Sequence, residues 1–197
     1  MRPLGKYRTI VADPPWPYET SKTGRFAIPK PAKDIGQQGV EQMGYGVMEI
    51  SDLCALIPPA ADNSHLYLWT TNSFMREAFE IAEAWGFRQK TILTWAKTHQ
   101  GDPARVSMKT GYYFRGATEH CLFCVKGSQP LETKEGLPTA YLWPRIGQHS
   151  AKPDAFYDLV EKASPGPYME MFARRARFGW DYWGNESLGT ATVGEAA

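Results

Sequence analysis

Asp13-Pro14-Pro15-Trp16 follows directly on an apolar run, residues 7–12. The run reads as a strand. The tetrapeptide then puts one carboxylate and a stiff turn at the strand's C-terminal end, where open α/β sheets bind ligands. Proline fixes φ and has no N–H, so Pro14 and Pro15 offer carbonyl acceptors and no backbone donor. A carboxylate, a backbone carbonyl and an aromatic plane together suit a flat molecule with an exocyclic amino group, adenine above all. The plainer alternative is an Asp-Pro turn beside a partly buried tryptophan, since both prolines are at home in turns.

The elements that must position this turn follow from the hydrophobic pattern. Strands are expected at residues 7–12, 65–70, 91–96, 120–125 and 168–173, with short ones at 141–143 and 181–183. Ser51 is placed to cap a short helix over residues 52–57, which Pro58-Pro59 ends. Asn72 or Ser73 is placed to cap a helix through Trp85, with Phe74, Ala78, Ile81, Ala82 and Trp85 on one face and Gly86 as the stop. Pro153 suits the first turn of a helix running to Ala163. Strands alternating with helices predict an α/β fold: a mostly parallel, doubly wound sheet with helices on both faces. One domain over residues 1–186 is expected, with a flexible tail over 187–197. Two long stretches break the pattern, residues 17–45 and 97–115. Both are basic and read as mobile loops; loops this long are commonly functional. Lys22, Arg25, Lys97 and Arg105 lie in them and are candidates to grip phosphates.

Net charge is +1, so no global basic field announces nucleic acid, although a local basic rim would suffice. The 197 residues hold only three cysteines, which argues against a disulfide framework and for a reduced compartment. Cys121 and Cys124 form a lone C-x-x-C inside a strand. Positions three apart there point to opposite faces, so structural cysteines are expected and no metal. The N-terminus lacks a signal-peptide core, and no apolar stretch reaches membrane-spanning length. An intracellular, cytoplasmic, soluble protein is expected.

Further landmarks join the tetrapeptide. They are Gly44-Tyr45-Gly46, Leu66-Tyr67-Leu68-Trp69-Thr70, Trp95-Ala96-Lys97-Thr98 and Glu119-His120-Cys121-Leu122. His149-Ser150-Ala151-Lys152-Pro153-Asp154, Ser164-Pro165-Gly166 and Gly184-Asn185-Glu186 come later. In this order, from about Tyr7 to Glu186, they resemble the MT-A family of N6-adenine and adenosine methyltransferases, in its bacterial or phage members. These are amino-methyltransferases with a permuted motif order. The resemblance implies a Rossmann-like fold and S-adenosyl-L-methionine as methyl donor. It also accounts for the missing G-x-G-x-x-G after the first strand, because the donor-binding strand then comes late, at residues 168–173.

The reaction so implied is in-line methyl transfer to an adenine N6 whose lone pair is delocalised into the ring. Asp13 and the Pro14 carbonyl would accept the two N6–H groups and hold them more tightly as positive charge grows on nitrogen. Trp16 would stack on the base. By resemblance Tyr45 and Glu119 hold the target adenine, and Trp69 is core or a wall of the site. Lys152 is the candidate for the methionine carboxylate, with His149 upstream. Ala12, Asp13, Glu170 and Arg174 line the cofactor site, and Asn185 and Glu186 match ribose-binding positions. The mRNA-modifying members have Gln where Glu186 stands, and Pro-His-Asn where Arg175-Ala176-Arg177 stands.

The chain lacks the additional RNA-binding domains of the mRNA enzymes, so DNA is expected ahead of RNA. Duplex DNA would require base flipping. A homodimer or a degenerate partner subunit is compatible with the resemblance. Two rival readings stay open: a non-catalytic nucleic-acid-binding member, and a methyltransferase for another amino group, cytosine N4 or a protein Gln. The intact tetrapeptide weighs against the first. Asp13 and Trp16 weigh against the second, whose members usually carry Asn or Ser, and Tyr or Phe, there.

Overall fold

The computed structural model describes residues 6–18, 47–108, 113–146 and 151–183. Eight strands form one sheet: β1 (Tyr7–Ala12), β2 (Ala60–Thr70), β3 (Arg88–His99), β4 (Asp102–Val106), β5 (Thr118–Lys126), β6 (Ala140–Pro144), β7 (Tyr168–Met171) and β8 (Trp180–Trp183). Among the described residues three α-helices accompany them: α1 (Ile50–Ala55), α2 (Met75–Ala84) and α3 (Asp154–Ala163). The sheet runs β4-β3-β5-β2-β1-β7-β8, with β6 paired to β3. The pairs β1–β2, β1–β7, β7–β8 and β3–β6 are parallel. β5 is antiparallel to β2 and β3, and the β3–β4 pair is a hairpin. The α/β expectation holds, but as a mixed sheet.

Alternation along the strands sends side chains to two cores. Ile10, Ala12, Leu66, Leu68 and Leu122 pack with Leu53 of α1 and Ile81 of α2. Val11, Tyr67, Trp69, Trp95 and Cys121 pack with Phe156 and Val160 of α3 on the other face. Cys121 and Cys124 thus fall in different cores, and both are free thiols. The Trp85 indole N–H ties α2 to α1 by donating to the Leu53 carbonyl at 2.8 Å. Beyond α2 the chain turns at Gly86, φ 80°, and the Phe87 N–H reaches back to the Ala82 carbonyl at 2.9 Å. That pattern is a glycine-dependent helix stop.

Several sequence expectations shift. Residues 97–115 do not begin as a loop, because β3 continues to His99 and turns into β4. The third strand therefore spans Arg88–His99 rather than 91–96. Asn72–Phe74 form a 3₁₀ turn ahead of α2, and Ser51 lies inside α1. None of the three helices has a side-chain N-cap bond; Pro153 occupies the N-cap position of α3, and its carbonyl accepts from Phe156 N–H at 3.0 Å.

The edge opposite the β1 C-terminus is held by a buried polar knot. His65 Nε2 lies 2.9 Å from the Gln129 carbonyl, so that nitrogen carries the proton. Nδ1 then accepts from the Ser164 hydroxyl at 2.7 Å, and the Tyr67 hydroxyl donates to Ser164 Oγ at 2.7 Å. Thr9 Oγ1 donates to the Pro165 carbonyl at 2.7 Å. These bonds fix β1 and β2 to the corner between α3 and β7.

Candidate active site

β1 sits at the point where the sheet changes direction. Ala12 pairs with Leu68 on one side and with Met171 on the other, so β1, β2 and β7 end near one edge. β1 is followed in sequence by β2 on one side and β7 by β8 on the other, the topology that in doubly wound sheets leaves a crevice outside the strand ends. This switch point is where doubly wound sheets bind ligands. Antiparallel β5 starts at the same edge, with Cys121 opposite Trp69 and Glu119 opposite Trp95. A side chain from the beginning of β5 is thereby brought beside the ends of β2 and β3.

Lys152 joins these elements. It immediately precedes Pro153, and it is 6% exposed. Its ammonium lies 2.7 Å from Asp13 Oδ2 and 3.2 Å from Glu119 Oε2, and 4.9 Å from the centroid of the Trp69 ring. Glu119 Oε1 in turn takes a hydrogen bond from the Lys97 ammonium, which sits 4.7 Å over the Trp95 ring. The result is a row of alternating charge: Lys97, Glu119, Lys152, Asp13. Burial pushes the Glu119 carboxyl up, but Lys152 and Lys97 together outweigh it and hold it at about 2. Burial likewise works against the Lys152 charge, and Asp13 and Glu119 overcome it, so its pKa rises.

The tetrapeptide forms a tight turn. Trp16 N–H donates to the Pro14 carbonyl at 2.9 Å, and Met48 N–H donates to the Pro15 carbonyl at 3.0 Å. A carbonyl has two lone pairs, so Pro14 retains acceptor capacity. Trp16 is not an open platform: it is 4% exposed, and its ring stacks on Phe74 at 5.2 Å. Its apolar area anchors the turn in the α2-side core. Trp69 is also buried, and one face carries the Lys152 cation.

On the β7 side, Glu170 is 8% exposed and accepts from the Tyr157 hydroxyl at 2.7 Å. Burial raises its carboxyl, against the pull of the Tyr157 bond. The chain then leaves β7 through Phe172 at φ 62°, a conformation rare for a bulky side chain and typical of functional corners. Arg174 follows, half-buried. Arg175 pairs with Asp154, while Arg177 reaches Asp158 and Glu161, both at 2.9 Å. Both arginines therefore clamp the acidic side of α3.

Of the residues singled out by sequence, Ala12, Asp13, Pro14, Pro15, Trp69, Glu119, Lys152 and Glu170 gather along this edge. Lys97 joins them as a buried ion-pair partner, not as an exposed phosphate contact. Arg105 lies on the solvent-exposed strand β4. Lys22, Arg25, Tyr45, His149, Asn185 and Glu186 lie outside the described residues. Sequence reading missed the Lys97–Glu119 and Tyr157–Glu170 pairs. The first had a signal: Leu93, Trp95 and Lys97 alternate onto one strand face. Among the described residues there is no cluster of three or more His, Cys, Asp or Glu suited to a metal, and no helix long and apolar enough to cross a membrane.

A sheet split at β1 and β7, with a row of alternating charge at the split, is a Rossmann-like arrangement. The MT-A70 profile matches residues 7–186, and the chain belongs to this family of N6-adenine and adenosine methyltransferases. It is similar to the type II methyltransferase M.MunI of Mycoplasma sp, at 31% identity over 93% of this chain and 79% of that protein. It is also similar to the human N(6)-adenosine-methyltransferase catalytic subunit METTL3, at 30% identity over 87% of this chain and 26% of that protein. The Drosophila melanogaster N(6)-adenosine-methyltransferase MT-A70-like protein is 29% identical over 98% of this chain and 29% of its own length. The chain thus spans less than a third of the plant, fly and human relatives.

Proposed function

We propose that the protein is an S-adenosyl-L-methionine-dependent methyltransferase of adenine N6 in nucleic acid, with DNA ahead of RNA. The observation that carries this reading is Lys152, which joins Asp13 at the end of β1 to Glu119 at the start of β5 beside the crevice. The donor set suits the cofactor: a buried ammonium for the methionine carboxylate, and carboxylates beside it for cationic groups. S-adenosyl-L-methionine supplies an electrophilic methyl group. Lys152, Asp13 and Glu170 would hold it, with Arg174, His149, Asn185 and Glu186 proposed around them from the resemblance.

The chain's own part is to receive the amino group. Asp13 and the Pro14 carbonyl accept its two N–H bonds, and both interactions strengthen as positive charge develops on nitrogen. Asp13 need not remove a proton, since the ammonium product can release one to water. Trp16 holds the turn that aims these acceptors. Glu119, Trp69 and Tyr45 are assigned to the target base. DNA is put ahead of RNA on the resemblance to the family's small bacterial and phage members, and the similarity to a type II methyltransferase over 79% of that protein's length supports this reading. The human relative is named a catalytic subunit, so a second copy or a partner subunit belongs to this reading.

Methyl incorporation from labelled S-adenosyl-L-methionine into single- and double-stranded DNA and RNA, followed by nucleoside digestion, tests it. N6-methyladenine is expected. Asp13→Ala should lower it at least about a hundredfold, the scale of losing one preorganised polar contact to developing charge. Methylcytosine, or a methylated protein side chain, as the sole product would sink the assignment. Cofactor binding with no product in any nucleic acid would do the same for the chain acting alone.

A further inference from the structure

The methyltransferase reading leaves one charged residue of the site without a task. Lys97 is 6% exposed, lies over the Trp95 ring and donates to Glu119 Oε1. It does not face solvent like a phosphate-gripping lysine. Glu119 is the middle of the row, and its side chain is 13% exposed. The charged groups facing it are Lys97 from β3 and Lys152 from the segment before α3, with Asp13 beyond Lys152 and His120 next to it on β5. If Lys152 turned toward an anionic ligand and Lys97 were absent, Glu119 would be a buried carboxylate with no cation. Uncompensated buried charge is strongly unfavourable, so Lys152 would be retained by Glu119.

We propose that Lys97 is a positioning residue that anchors Glu119 as a carboxylate, so that Lys152 and Asp13 are released to bind ligand. This rests on the methyltransferase reading for its consequence in turnover, but not for its consequence in the charge of Glu119. Lys97 acts through Glu119 and touches no reacting atom.

The test compares Lys97→Met, Lys97→Arg, Glu119→Gln and the double variant, as full chains. Methyl transfer to an adenine-containing oligonucleotide is followed from about pH 5 to about pH 9. Without the Lys97 charge, Glu119 titrates higher and kcat/KM gains an acidic limb. A carboxyl midpoint that enters this range gives roughly a tenfold loss one pH unit below it. The wild type has no such limb, and Lys97→Arg keeps the wild-type profile. In the Glu119→Gln background Lys97→Met adds less than about a threefold loss, because the group it serves is gone. An unchanged pH profile in Lys97→Met overturns the inference. So does a loss of equal factor in both backgrounds, the mark of a structural role. If Lys97→Met does not fold, Lys97→Gln keeps a donor without the charge and should show the same limb. Carboxyl-carbon NMR titration of Glu119 separates the two claims. If the wild type transfers no methyl group, the functional reading fails, while a Glu119 midpoint that rises in Lys97→Met still supports the anchor and an unmoved midpoint rejects it.

Discussion

A buried ammonium shared by two carboxylates is held in place by what it neutralises. Lys152 illustrates this: at 6% exposure its burial opposes the charge, and Asp13 and Glu119 restore it. Lys152→Met leaves those carboxylates facing each other across a methyl group. Removing one partner of a buried pair costs about 3–5 kcal/mol, and the partial exposure of Asp13 places this case at the lower end. Thermal unfolding should show that loss, and calorimetry should show no detectable cofactor binding. A variant that binds the cofactor like wild type would exclude Lys152 from the carboxylate. Asp13, Glu119 and Lys152 were legible in the sequence because each sits in a landmark of fixed order. Trp16 suggests a stacking surface by its type, yet residue type does not reveal which way a ring turns. Lys97 resembles a loop cation in the sequence because the apolar run ends at Ala96, although alternation along TWAKT continues to the lysine.

At the scale of elements, local pattern located the strands other than β4 and missed several of their extensions. β3 runs three residues past the run that announced it, because the hairpin with β4 supplies hydrogen bonds that hydrophobicity does not encode. Likewise Ser51, Asn72 and Ser73 have capping side chains, but the helices start without them; tertiary packing, not capping, fixes these ends. The turn after β5 was legible from Lys126-Gly127, and its requirement is stricter than composition tells. Gly127 has φ 63°, and a Cβ there would lie 2.3 Å from the Asp62 carbonyl oxygen and 2.3 Å from Asn63 Oδ1. The Asn63 atom accepts from Ser128 N–H at 2.7 Å, so it is not free to yield. Gly127→Ala should cost about 2 kcal/mol or more from strain and displaced backbone, lowering Tm by several degrees, about 2–4 °C per kcal/mol at this size. Gly101→Ala is the control: φ is 82° but nothing lies within 4 Å of the new methyl group, so only the backbone term remains. Equal shifts in the two variants would refute the close-contact argument.

The whole molecule joins these elements in a way no local window carries. Alternating strands and helices predicted an open α/β sheet. The antiparallel insertion of β5 between β2 and β3 was not legible, because strand direction is set by pairing partners remote in sequence. That insertion places Glu119 at the crevice, and it also sets how the fold responds to acid. His65 lies in the polar knot at the far edge. Burial lowers its pKa below the ordinary 6.5, despite the bond to the Gln129 carbonyl. The unfolded chain takes up a proton that the folded one resists, so stability present above about 6.5 is lost as pH falls below it. Glu119 acts lower: its unfolded carboxyl titrates near 4.5 and its folded one at about 2, so its contribution is lost between those values as pH falls. Glu170 works the other way. Its folded carboxyl is raised by burial, so its contribution is present below 4.5 and disappears as pH rises through the raised value. Urea midpoints measured across pH should therefore fall in two stages on acidification. Glu119→Gln weakens the protein at neutral pH, since Lys97 and Lys152 lose a counter-charge, but it flattens the lower stage. Glu170→Gln removes the opposing gain, which falls above 4.5, and leaves the slope of the lower stage unchanged. A lower stage that keeps its slope in Glu119→Gln would mean that the charge row is not what links the crevice to acid stability.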